Sequence, residues 1–115
     1  MSAKRLKTNV RHQSGVAIIE LHGEINAAAE ETLNNAYAQV IALNPLAILI
    51  NLAGVDYITS TGMALLVSLL AQARQEKRIL AACSLNDHYK EVFKITRMTD
   101  FMMIFPDEAS ALAEL

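Results

Sequence analysis

"LAILINLAGVDYITSTGMALLVSLL", Leu46 to Leu70, decides the fold. Its first part, LAILINL, is a continuous apolar run of strand length. A strand buried on both faces has this composition, and such strands lie inside parallel sheets. AGVDYI then reads as a connection, and TSTG opens an apolar helix running to about Lys77. Thr59, Ser60 and Thr61, in a row before Gly62, pose the functional question. Ser or Thr ahead of an apolar helix is a favoured N-cap, contributing about 1 kcal/mol, and that role alone would account for them. Their position allows another. They stand at the carboxyl end of a parallel strand, where open α/β sheets place functional sites. Helix backbone N–H groups point outward there and can receive an anion.

Upstream, RLKTNVRH (Arg5 to His12) alternates raggedly, as an edge strand does. QSG turns it, and VAIIELH (Val16 to His22) completes a hairpin. The period then changes across GEINAAAEETLNNAYAQVIALN, Gly23 to Asn44. Ala29, Leu33, Ala36, Tyr37, Val40 and Ile41 recur at helical spacing. Asn26 is placed to cap this helix, Glu30 and Glu31 suit its positive end, and Asn44-Pro45 stops it. Downstream, RILAACS is a buried strand. NDHYKEVFKITR is a helix with Tyr89, Val92, Phe93 and Ile95 or Thr96 inward. FMMIF is a short strand, and PDEASALAEL a last helix with Pro106 and Asp107 at its start. The order β-β-α-β-α-β-α-β-α predicts an α/β fold, a mixed, mostly parallel sheet packed with helices. At 115 residues there is room for one core, so residues 1–115 are expected to form a single domain.

Composition narrows the function. The chain is 53% hydrophobic with a formal charge of −2, which excludes general disorder. No basic stripe interleaved with aromatics runs along it, which argues against nucleic acid as a partner. Lys4, Arg5, Lys7 and Arg11 are spaced as on the solvated outer face of a strand. The one cysteine, Cys83, permits no internal disulfide and fits a reducing compartment. No charged-then-apolar leader is evident, and the run from Met63 to Ala73 is too short to span a membrane, so a cytoplasmic location is expected. His12, His22 and His88 are scattered, and no Cys/His pair has metal-ligand spacing. There is no phosphate-cradling glycine motif and no nucleophile elbow, and Asp56, Asp87 and Asp100 do not pair as acid and base. No catalytic residue, metal or cofactor is expected. Met98, Met102 and Met103 read as core or gap-filling side chains, or as an adaptable partner surface.

Three segments together carry a family resemblance: GEIN (Gly23 to Asn26), NLAGVDYITSTGMALLVSLL (Asn51 to Leu70) and VFKITRMTDFMMIFPDEASAL (Val92 to Leu112). Over nearly the whole chain the sequence resembles a STAS domain, and more narrowly the single-domain bacterial anti-sigma factor antagonists. The resemblance implies that Ser60, two places before Gly62, is phosphorylated by a serine kinase that doubles as the anti-sigma factor. It implies that the unphosphorylated protein binds this kinase, that phosphate releases it, and that a metal-dependent serine phosphatase resets the switch. The partner surface would comprise Asn26, Ile58, Thr59, Thr61 and Met63, with Gly62 allowing close approach of the partner. Two positions depart from the family pattern. Thr59 stands where Asp usually precedes the phosphorylated serine, and Asn26 where Asp usually closes the Gly-Glu-apolar-Asp segment. Both departures remove negative charge. Related modules serve other assemblies, in lipid transport, secretion or biofilm regulation. The alternatives are therefore such a subunit, or a small-ligand module, with Ser60 only a helix N-cap.

Overall fold

The structure, a computed structural model, describes residues 4–115. The first three residues, on which the expectation of no leader partly rests, lie outside it. Five strands form one sheet in the order β1 (Lys7–Gln13), β2 (Val16–Ile25), β3 (Ala47–Ile58), β4 (Ile79–Cys83) and β5 (Met103–Phe105). The hairpin β1–β2 is antiparallel, and every other pairing is parallel. Four helices, α1 (Glu30–Ile41), α2 (Ser60–Gln75), α3 (Asp87–Ile95) and α4 (Glu108–Glu114), alternate with the strands after the hairpin, as the sequence predicts.

Two strands run further than expected. AGVDYI is not a connection but the second half of β3, and GEI belongs to β2 rather than to the helical segment after it. The pairing continues from Val16↔Ala47 to Ile25↔Ile58 through two irregularities. Between Glu20↔Asn51 and His22↔Gly54, and again between Gly23↔Val55 and Glu24↔Tyr57, β3 carries one residue more than β2. These are β-bulges, which bend a strand and re-aim its side chains while pairing continues. A glycine and an aspartate at the bulges make the segment look like a loop when read by composition.

Helices cover the sheet unequally. Side chains from α1, α2 and α3 pack on one face, where Ile19, Leu21, Ile25, Ile48, Ile50 and Leu80 meet Leu33, Val40, Leu66 and Phe93. On the other face Val16, Ile18, Leu49, Ala81 and Cys83 lie under Ala111 of α4. Burial among these groups pushes the Cys83 thiol up from its ordinary pKa. In α3, Tyr89 and Phe93 are buried as expected, but Ile95 is 72% exposed and Thr96 is exposed. At about 100° per residue, Ile95 points roughly 140° from the Phe93–Tyr89 side. Thr96 caps the helix end, its hydroxyl donating to the Val92 carbonyl at 2.8 Å. Met98 and Met102 are core, and Met103 is half-exposed.

Arg11 does not stand free on a solvated face. Its guanidinium donates to Glu108 Oε1 at 2.6 Å and to Glu20 Oε1 at 3.2 Å, and Asn51 Nδ2 donates to Glu108 at 3.1 Å. This network holds α4 to β1, β2 and β3 from the far end of the chain. The hydrogen bond from Arg11 holds the Glu108 carboxyl below the usual carboxylate range; bonds from Asn9 first, and then Arg11, do the same for Glu20.

Candidate functional site

The strands β2 and β3 end side by side at Ile25 and Ile58, both buried. Each chain then breaks into a helix through a polar cap. After β2, Asn26 has extended backbone and its Oδ1 accepts the Ala28 N–H at 3.0 Å, opening a 3-10 turn at Ala27–Ala29 that leads into α1. Its Nδ2 donates to Glu24 Oε1 at 3.4 Å. After β3, Thr59 is the N-cap of α2: its Oγ1 accepts the Gly62 N–H at 3.0 Å. The Thr59 N–H donates to the Ile25 carbonyl at 3.0 Å, tying the cap to the end of β2. The two positions that depart from the family pattern are therefore neighbours. Each keeps a cap that an aspartate would also make, without its charge.

Ser60 is the first residue of α2 and is exposed, as is Thr61 beside it. Among the described residues the Ser60 hydroxyl makes no hydrogen bond. The alternative in which Ser60 serves as the N-cap does not hold, because Thr59 takes that place. Asn26, Thr59 and Met63 are half-buried at the rim of this surface.

Ile58 and Gly62 were expected on the partner surface, but they lie beneath it. Ile58 is 5% exposed. Gly62 is buried, and a Cβ there would sit 1.9 Å from the Ile25 carbonyl oxygen and 2.6 Å from its carbon. The missing side chain admits the end of β2. Both residues set where Ser60 stands.

One supporting residue was legible only as core. Tyr89 of α3 is buried, and its hydroxyl accepts the Ile58 N–H at 2.8 Å and donates to the Ile58 carbonyl at 3.4 Å. It satisfies the last peptide of β3, where pairing ends. A tyrosine among inward apolar positions signals a buried polar tip that needs a partner, though not which one. Tyr57, 53% exposed beside the strand end, was read only as part of the connection. No helix among the described residues is long and apolar enough to cross a membrane.

The STAS domain family model matches residues 7–111. BtrV of Bordetella bronchiseptica, assigned by inference as an anti-sigma factor antagonist, is 31% identical over 101 residues, covering 88% of this chain and 84% of its own. An anti-sigma factor antagonist from Mycobacterium paratuberculosis superposes with a TM-score of 0.82 at 22% identity, over 95% of this chain and 92% of that one. The antagonist SpoIIAA in its unphosphorylated form superposes at 0.75 with 16% identity, over 94% and 95%. In its phosphorylated form the Bacillus protein superposes at 0.71.

Proposed function

The chain belongs to the STAS domain family, and from that premise we propose that it is an anti-sigma factor antagonist switched by phosphate on Ser60. In this reading it is a cytoplasmic regulatory protein and not an enzyme. It binds a serine kinase that acts as the anti-sigma factor, and a serine phosphatase resets it. The observation that carries the proposal is the division of labour between adjacent hydroxyls. Thr59 starts the helix, and Ser60 stands exposed with no structural bond to give up. Support also comes from the names of the relatives, and from SpoIIAA existing in both phosphorylated and unphosphorylated forms.

The mechanism follows from magnitudes. Phosphorylation adds about −1.5 to −2 charge at the helix start. The helix dipole returns about 0.3–1 kcal/mol of attraction, so the host fold tolerates the group. A docked partner would have to desolvate it, and burying an unmatched dianion costs several kcal/mol even after relaxation. Desolvation wins, and at about 1.4 kcal/mol per tenfold the partner should bind roughly a hundredfold more weakly. Ile25, Thr59, Gly62 and Tyr89 hold the backbone on both sides of Ser60. The switch is thus local charge on a fixed surface, with no shape change required.

The test begins with intact mass after incubation with lysate and ATP. One added phosphate, lost in Ser60→Ala, is expected. Affinity for the captured kinase should be kept by Ser60→Ala and reduced by Ser60→Asp. Equal affinities for the two variants would end the proposal.

A further inference from the structure

A cavity of about 430 Å³ opens where the N-terminal segment crosses the bulged part of β2 and β3. Its rim is cationic: Lys4, Arg5 and Lys7, with His22. Gly23 and Gly54 lie in its wall, and Asp56 is its single carboxylate. A chain with a formal charge of −2 thus gathers three of its ten Lys and Arg residues here, against one of its twelve Asp and Glu. Lys4 Nζ lies 3.0 Å from Asp56 Oδ2, which offsets that pair. Among the described residues no salt bridge involves Arg5 or Lys7. Arg5, Lys7 and the His22 imidazole thus line one opening together, all three exposed.

The surroundings are fixed. Gly23 has φ +112°, and a Cβ there would sit 2.7 Å from the Arg5 carbonyl oxygen. Only glycine lets the segment at Lys4 and Arg5 lie this close. The Glu24 N–H donates to the Lys4 carbonyl at 3.1 Å, and Leu6 is 5% exposed in the core. The backbone carrying these cations is thereby pinned to the sheet. At the bulge, a Cβ on Gly54 would sit 2.1 Å from His22 Nδ1, so the imidazole lies against bare backbone. The side chains of Arg5, Lys7 and His22 are exposed, but they spring from backbone whose position is fixed, which lowers part of the ordering cost of binding an anion.

We propose that this cavity is a binding site for a dianionic tetrahedral oxyanion of the phosphate class, held by Arg5, Lys7 and His22. The two unpaired cations match a dianion. The guanidinium fork of Arg5 pairs two of its oxygens, and Lys7 acts as a point charge. The cavity contains neither Ser60 nor Thr59, so the inference stands apart from the switch and fails separately from it.

The test uses the whole chain, labelled with ¹⁵N and titrated with potassium phosphate or with free O-phosphoserine, against potassium chloride at matched ionic strength. Saturable shifts at the amides of His22, Gly23 and Gly54 are expected. Affinity should be roughly tenfold weaker in Arg5→Ala/Lys7→Ala, where two charge-assisted contacts are gone. His22→Gln, measured alone, gives an independent reading should the double variant lose its fold, and it too should weaken binding. Saturation by either compound supports the site, and the tighter of the two names the source, a free anion or a phosphorylated side chain. Shifts no larger than those in chloride, or an affinity unchanged in the folded variants, would overturn it.

Discussion

Replacing Gly62 by alanine should destabilise the protein, against the ordinary rule for helices. Glycine in a helix interior is less favourable than alanine by about 0.8–1.0 kcal/mol, so propensity alone predicts a gain. Geometry predicts the reverse. The new Cβ would fall 1.9 Å from the Ile25 carbonyl oxygen, and ordinary contact begins at 3.4 Å, so the start of α2 must retreat by about 1.5 Å. That same carbonyl accepts the Thr59 N–H at 3.0 Å. A retreat of this size takes the bond beyond any useful length. Losing a buried backbone bond costs about 1–3 kcal/mol, and disturbing the Thr59 cap adds about 1 kcal/mol. The propensity gain offsets part of this, leaving about 1–3 kcal/mol of destabilisation. Leu66, Leu69, Leu70 and Ala73 anchor the rest of α2 in the core, so the helix cannot shift as a rigid body at little cost. Urea unfolding followed by circular dichroism reads the effect. With a slope of about 1–3 kcal/mol/M, the midpoint should fall by roughly 1 M. A midpoint equal to or above that of the parent would refute the close-packing argument for Gly62.

Tyr89→Phe keeps the ring but strips the Ile58 N–H of its acceptor, and should cost about 1–3 kcal/mol in the same unfolding assay. Thr59→Ala should cost about 1 kcal/mol, while Thr59→Asp should restore most of it, because either oxygen caps Gly62. Stability should also fall in acid. The carboxyls of Glu108 and Glu20 are held below their unfolded values, so their contribution is complete above a pH of about 4.3 and is lost as pH falls below it. Denaturant midpoints at pH 7 and pH 3.5 should differ less in Glu108→Gln than in the parent, and equal differences would place the acid sensitivity elsewhere.

The alternation of strands and helices was legible because each element carries an unbroken period. LAILINL cannot be amphipathic, and Leu33, Ala36, Tyr37 and Val40 repeat at helical spacing and are buried. The extents of β2 and β3 were not legible. A bulge adds one residue to one strand, and nothing in the composition of AGVDYI distinguishes a bulged strand from a loop. The pairing partner decides, and it lies about thirty residues away, at His22↔Gly54 and Glu24↔Tyr57. Arg11 was misread for a related reason. Its partner Glu108 is 97 residues distant, and a strand pattern seen alone makes such an arginine look solvated. At the site, TSTG disclosed a cap but not which hydroxyl made it. That choice depends on where β3 ends, and the Tyr89 hydroxyl, the Ile25 carbonyl and the bare Gly62 fix that end together.

The two departures from the family pattern acquire a physical sense in this setting. An aspartate at position 59 would do two things at once, cap α2 and place a negative charge next to Ser60. Thr59 keeps the first and drops the second. Asn26 makes the same separation at the neighbouring cap, where its amide also reaches Glu24. The fold is therefore indifferent to the change, since each helix start keeps its oxygen acceptor. The electrostatics are not. Under the proposed switch, with both carboxylates absent, a phosphate on Ser60 would meet less repulsion from its own protein, and a partner that recognised those carboxylates would lose its contacts. In that switch, selectivity among kinases then rests more on uncharged and apolar features of the surface, Thr61, Met63 and the half-exposed ring of Tyr57, with Glu24 beside Asn26 as the carboxylate that stays. Binding of that kind depends weakly on salt, whereas a carboxylate-guided complex weakens steeply with ionic strength.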